Sequence, residues 1–109
     1  MNKIELAKRR NDIARLFQHS STIKRNCIRI NTGSTYDHEL EKFKICWELQ
    51  KEGMHFLTEA VFERTGDRAD IVCLDEGICY EIVKSESNES IKAKHAKYPL
   101  PVRVRRLKP

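Results

Sequence analysis

Two short apolar runs, Ala69–Leu74 and Ile78–Val83, are parted by only three residues, Asp75-Glu76-Gly77. Runs of this length, joined by a Gly-containing loop too short for a crossover, predict an antiparallel hairpin. A lone hairpin is marginal in water, so the rest of the chain has to supply further strands and the apolar faces that cover them.

Those elements can be read on both sides of the hairpin. Leu6, Arg10, Ile13 and Phe17 recur at helical spacing with Ala7 and Ala14 beside them, which predicts a helix over 3–17 with a basic outer face. Residues 19–35 are rich in Ser, Asn, Thr and Gly and read mostly as loop, with strand-like alternation only at Cys27–Ile30. Ser34 and Asp37 resemble a capping box for a helix over 37–53, on which Leu40, Phe43, Trp47 and Met54 share a face and Gly53 offers a stop. Ile45 and Leu49 fall on its opposite side, so this helix is expected to be covered twice, by the sheet and by either the N-terminal helix or another subunit.

Met54–Phe62 reads as a strand closed by the turn at Gly66-Asp67. Ser87 caps a last helix with Ile91, His95 and Tyr98 on one face, and Pro99 and Pro101 stop it before a strand over Val102–Leu107. The expected fold class is α/β. A small mixed central sheet is flanked by helices in the core order helix-strand-strand-strand-helix-strand, with an N-terminal helical arm. At 109 residues this is one domain over 1–109, with a basic arm at 1–35 and a core at 36–107.

Charge is distributed unevenly along the chain. Residues 1–30 hold eight Lys and Arg against Glu5 and Asp12, and residues 91–109 hold seven and no acid, whereas residues 37–90 carry 14 Asp and Glu against six Lys and Arg. Basic arms around an acidic centre suit a protein that grips phosphates while its carboxylates hold a cation. The side chains expected to contact DNA are Arg9, Arg10, Lys24, Arg25, Arg68, Lys94, Arg103 and Arg105. Cys27, Cys46, Cys73 and Cys79 form no C-x-x-C pair and are expected to be reduced thiols in apolar settings. With no long apolar run and no signal-type block, the expected location is intracellular, in the cytoplasm, with no membrane partner.

The chemistry concentrates in Arg68-Ala69-Asp70-Ile71-Val72 and Tyr80-Glu81-Ile82-Val83-Lys84. Hairpin pairing brings Asp70 and Glu81 together although they are 11 residues apart. Two carboxylates held close among apolar neighbours repel, and a divalent cation between them relieves the repulsion; Mg²⁺ is the natural choice for oxygen ligands.

An acidic helix followed by R-A-D-I-V on one strand and Y-E-I-V-K on the next resembles the PD-(D/E)xK superfamily of metal-dependent nucleases, over roughly Asp37 to Leu107. The resemblance implies a deoxyribonuclease that hydrolyses DNA phosphodiesters with Mg²⁺ (or Mn²⁺). It implies Asp70 and Glu81 as metal ligands, and Glu39 on the helix, or secondarily Glu59 on the preceding strand, as a third. The family's lysine stands two residues after the Glu. That position here is Val83, so Lys84 serves only if a bulge re-aims it, with Lys94 on the last helix as the alternative. Two other readings stand beside this one: a nuclease-fold module that binds DNA without cutting it, and a small basic DNA-binding regulator. His38 reads as a surface residue and His95 as a packed one. A homodimer is expected, because so short a chain has little material to cover both sides of its central helix.

Overall fold

The computed structural model describes residues 1–107; Lys108 and Pro109, the last two residues of the expected domain, lie outside the described residues. Helix α1 runs over Lys3–Ala14, α2 over Tyr36–Lys51 and α3 over Asn88–His95. The strands are β1 Phe56–Val61, β2 Arg68–Cys73, β3 Ile78–Val83 and β4 Val102–Arg106. They form one mixed sheet in the order β1-β2-β3-β4, in which β1–β2 and β2–β3 are antiparallel and β4 runs parallel to β3. This is the α/β arrangement expected, including the element order and the N-terminal helix. No helix among the described residues is long and apolar enough to cross a membrane.

Local chemistry fixes the boundaries. Asn2 caps α1 by accepting the Glu5 N–H, and Ser87 caps α3 by accepting the Ser90 N–H. For α2 the cap is Thr35, one residue later than expected, and its side chain accepts the His38 N–H. Gly53, at φ +76°, takes the left-handed conformation that ends α2. Residues 27–30 form no ladder; the Thr58 hydroxyl instead accepts the Arg29 N–H and donates to the Cys27 carbonyl, so the segment is held beside β1 through a side chain.

The sheet carries a core on each face. Leu57, Val72 and Cys79 pack with Phe17, Phe62 and Tyr98 on one side. Alternate residues Phe56, Ile71, Cys73 and Tyr80 pack with Ile45, Cys46 and Leu49 of α2 on the other. The α2 helix therefore meets the sheet through Ile45 and Leu49, and the face expected to be core, Leu40, Phe43 and Trp47, is exposed. Periodicity detects apolar sides but cannot choose between two of them. None of the four cysteines is in a disulfide; Cys46, Cys73 and Cys79 are buried, while Cys27 is exposed rather than packed.

Several of the basic residues expected to contact DNA also tie elements together. Arg10 makes two hydrogen bonds to the Asp75 carboxylate, at 3.0 and 2.8 Å, and Arg9 donates to the carbonyls of Asp75 and Glu76, so α1 is fastened to the hairpin turn. Arg105 pairs with Glu41 at 2.8 Å, Arg103 donates to Tyr80 Oη and stacks on its ring, and Arg25 donates to Asn11. Arg10→Ala is expected to lower stability by about 1–2 kcal/mol in chemical denaturation, since it strands a largely covered carboxylate at the turn.

Candidate active site

The β2–β3 ladder is regular from Cys73↔Ile78 to Ile71↔Tyr80. Continuing the register would set Asp70 opposite Glu81, but there the side chains take over from the backbone. Glu81 Oε2 accepts the Asp70 N–H at 2.6 Å, and Asp70 Oδ2 accepts the Ile82 N–H at 2.9 Å. Each carboxylate thus occupies the place of a ladder carbonyl and is pinned to the other's strand. The expected pairing of Asp70 and Glu81 on adjacent antiparallel strands is present.

A second irregularity lies in the same row. Thr58↔Ile71 and Ala60↔Ala69 pair normally, with Glu59 and Asp70 between them left out of the ladder and Glu59 at φ +51°. A left-handed glutamate costs about 1 kcal/mol or more and breaks strand alternation. Accordingly Leu57 and Ala60, like Val72 and Ala69, point into the same core although only two residues separate each pair, a spacing that regular alternation would put on opposite faces. Glu59, Asp70 and Glu81 therefore occupy successive positions across three strands. Glu59 lines a pocket of about 270 Å³ with Arg29, Asn31 and Arg68.

Glu81 is 4% exposed. Its Oε1 lies 2.9 Å from the Tyr98 hydroxyl, which is also 3.1 Å from the Arg68 carbonyl. Burial first, and the neighbouring Asp70 charge second, push the Glu81 carboxyl up to about 7, against the opposing pull of the Asp70 N–H, Tyr98 and Lys94. The Tyr98 hydroxyl donates to Glu81 Oε1 and has the Arg68 carbonyl as a second acceptor within reach. His95 Nε2 is 3.7 Å from Glu81 Oε1, and its Nδ1 is buried without a hydrogen-bond partner. Burial, reinforced by Lys94, holds this imidazole below the usual histidine value, which favours the neutral ring.

On the other side of the pair stands the start of α2. His38 spans two acids, with Nδ1 2.8 Å from Glu39 Oε2 and Nε2 3.3 Å from Asp70 Oδ2. Glu39 Oε1 receives Lys42 Nζ at 2.6 Å and the Asn31 N–H at 2.7 Å. Burial alone would raise the Glu39 carboxyl; the Asn31 N–H, Lys42 and His38 outweigh it and hold the group below the usual carboxylate range. Glu39, expected as a third ligand, is therefore occupied within the protein and reaches Asp70 through His38.

Lys42 is the residue that sequence reasoning missed, and His38, weighed as a neighbour of Glu39 but read as a surface residue, belongs with it. Lys42 is fully buried and also donates to the Arg29 carbonyl at 2.7 Å, so it joins α2, Glu39 and the segment before α2. The available signal was its spacing, three residues from Glu39 and on the Ile45–Leu49 side of the helix. Lys42→Met should cost about 3 kcal/mol in urea unfolding, because it leaves Glu39 charged, largely buried and without its cation.

The lysine expected near the carboxylate pair is displaced. β3 and β4 stay in register from Cys79↔Val102 to Val83↔Arg106, so no bulge follows Glu81, and Lys84 is exposed beyond the strand end. Lys94 on α3 is exposed as well, and its charge acts on Glu81.

Among the described residues no three or more His, Cys, Asp or Glu side chains form a group arranged to hold a metal ion. Mg²⁺, however, commonly takes one or two carboxylates and completes its shell with water and substrate oxygens. A buried glutamate, its carboxyl raised first by burial and then by the neighbouring Asp70, forms with that aspartate the donor pair that would hold such an ion. Comparison of the chain with protein-family models, with curated proteins and with solved structures finds no match, which leaves the site's own chemistry to speak for its role.

Proposed function

We propose that the protein is a metal-dependent deoxyribonuclease of the cytoplasm. The observation that carries this reading is the carboxylate pair at the break in the β2–β3 ladder, with Glu81 raised by burial and by Asp70. Asp70 and Glu81 would hold Mg²⁺ or Mn²⁺, which when bound polarises a phosphoryl group and lowers the pKa of the attacking water. Around them the chain's own groups have distinct tasks. Backbone N–H groups of Asp70 and Ile82 fix the two carboxylates, and His38 holds Asp70 to the Glu39–Lys42 pair. Neutral His95 supplies a proton acceptor beside Glu81. Lys94, Lys84 and Arg68 are exposed cations available to the phosphate backbone. Four cysteines without a disulfide agree with a reducing compartment.

The test is incubation with linear, circular, single-stranded and branched DNA in Mg²⁺ or Mn²⁺, with EDTA as control. Metal-dependent cleavage is expected. Binding without cleavage on every substrate would transfer support to a non-cutting DNA-binding module, which the unbroken β3–β4 register favours because it leaves Val83 in the place of the family's lysine. Arg68→Gln is expected to weaken binding and to reduce the log–log salt slope by about one, as for loss of a single phosphate contact.

A further inference from the structure

Tyr36, Leu40, Phe43 and Trp47 follow one another along α2 at steps of four, three and four residues, and Ile30 from the preceding segment joins them. Each is between 40% and 79% exposed. The other large exposed apolar side chains among the described residues, Met1, Ile4 and Val104, lie at the start of the chain and on β4. Beside the stripe, Ile28 and Ile30 wall a groove of about 500 Å³ against Tyr36, Leu40 and Phe43.

We propose that this face docks a second copy of the chain, α2 against α2 in an antiparallel, two-fold arrangement. The three aromatic side chains carry about 150–250 Å² each, and at their observed exposures, with Ile30 and Leu40 added, the stripe presents on the order of 600 Å² of apolar surface. A standard interface buries about 800 Å² per partner, and a stripe rimmed by polar residues of the same helix reaches that size. Monomers rarely leave so large an apolar patch bare.

Charge selects the orientation. The exposed flank of the stripe carries Asp37 at its start, Lys44 and Glu48 along it and Lys51 at its end. Antiparallel pairing sets Asp37 of one copy against Lys51 of the other at both ends and opposes the two helix dipoles, which outweighs the single Lys44–Lys44 contact at the centre; parallel pairing would align the dipoles and lose both end pairs. Lys51 Nζ already lies over the Trp47 ring at 5.0 Å, at the rim of the patch. The midpoint between Asp37 and Lys51 is Lys44, which places Phe43 beside the two-fold axis. His38 and Lys42 project from the opposite side of the helix. The interface thus leaves both carboxylate sites open, and the proposal is independent of whether they cut DNA.

Sedimentation velocity of the whole chain between 1 and 100 µM, roughly the range where a micromolar complex assembles, is expected to show a dimer. Phe43→Glu with Trp47→Glu should raise the dissociation constant by about 100-fold or more, as loss of central aromatic anchors does, with a thermal melt that matches wild type only at concentrations where the wild type is dissociated. In a Cys27→Ser background, Lys44→Cys, which lies at the axis and spares the aromatic anchors, should cross-link to its own copy on mild oxidation. Asp37→Cys should cross-link only when Lys51→Cys is also present. A monomer throughout the range, a dimer indifferent to the double glutamate variant, or Asp37→Cys cross-linking alone would overturn the proposal.

Discussion

Asp70→Asn and Glu81→Gln are each expected to reduce metal-dependent cleavage by on the order of 10³-fold or more while DNA retardation in EDTA is preserved. The argument rests on what each change leaves in place. Asparagine keeps an amide oxygen that can accept the Ile82 N–H, and glutamine keeps one for the Asp70 N–H, so the pinning of each strand to the other survives. The glutamine amide still meets Tyr98 Oη, now as donor to the hydroxyl oxygen. What disappears is the negative charge that a hard divalent cation requires. Cleavage assays under single-turnover conditions separate this loss from substrate binding; cleavage retained at more than a tenth of wild type in both variants would remove the carboxylate pair from the mechanism.

The part of this site carried by short-range pattern was legible in the sequence. The hairpin loop fixes the register between β2 and β3, and register alone brings Asp70 to Glu81. Pro99, Pro101 and Ser87 likewise mark the last helix and strand, because capping and loss of a backbone donor act over a few residues. What could not be read depends on choices between equally apolar alternatives. Helix α2 has two such sides, and the side that meets the sheet is the one carrying Lys42, because that lysine finds Glu39 and the Arg29 carbonyl in the fold. The same choice turns His38 from an expected surface residue into a link between Glu39 and Asp70. Glu59 could not be assigned a face because its left-handed backbone suspends the alternation on which such an assignment depends. The arginines illustrate the converse. Charge counting found the basic arm, but a charge count does not see Asp75, to which Arg10 is committed.

Burial of the carboxylate pair also predicts a pH dependence that needs no DNA. In the unfolded chain Glu81 loses its proton near 4.5, whereas in the fold it keeps that proton up to about 7. Between these values the native state binds more protons than the unfolded state, so Glu81 makes stability fall as pH rises. The full cost is reached above pH 7 and amounts to about 3 kcal/mol at most. His95, whose neutral form is favoured by burial, acts in the opposite direction and withdraws stability as pH falls below the usual histidine value. Both proteins share His95, so the difference in unfolding free energy between Glu81→Gln and wild type isolates the glutamate. Urea denaturation in EDTA from pH 4.5 to 8 is expected to show Glu81→Gln gaining on wild type across this window. Mg²⁺ should then restore stability to the wild type at pH 8, where Glu81 is ionised, and have little effect at pH 5, where Glu81 is protonated; the variant should show neither response. A difference that stays constant with pH would mean that Glu81 titrates as an ordinary carboxyl, and the electrostatic case for a cation between it and Asp70 would fall with it.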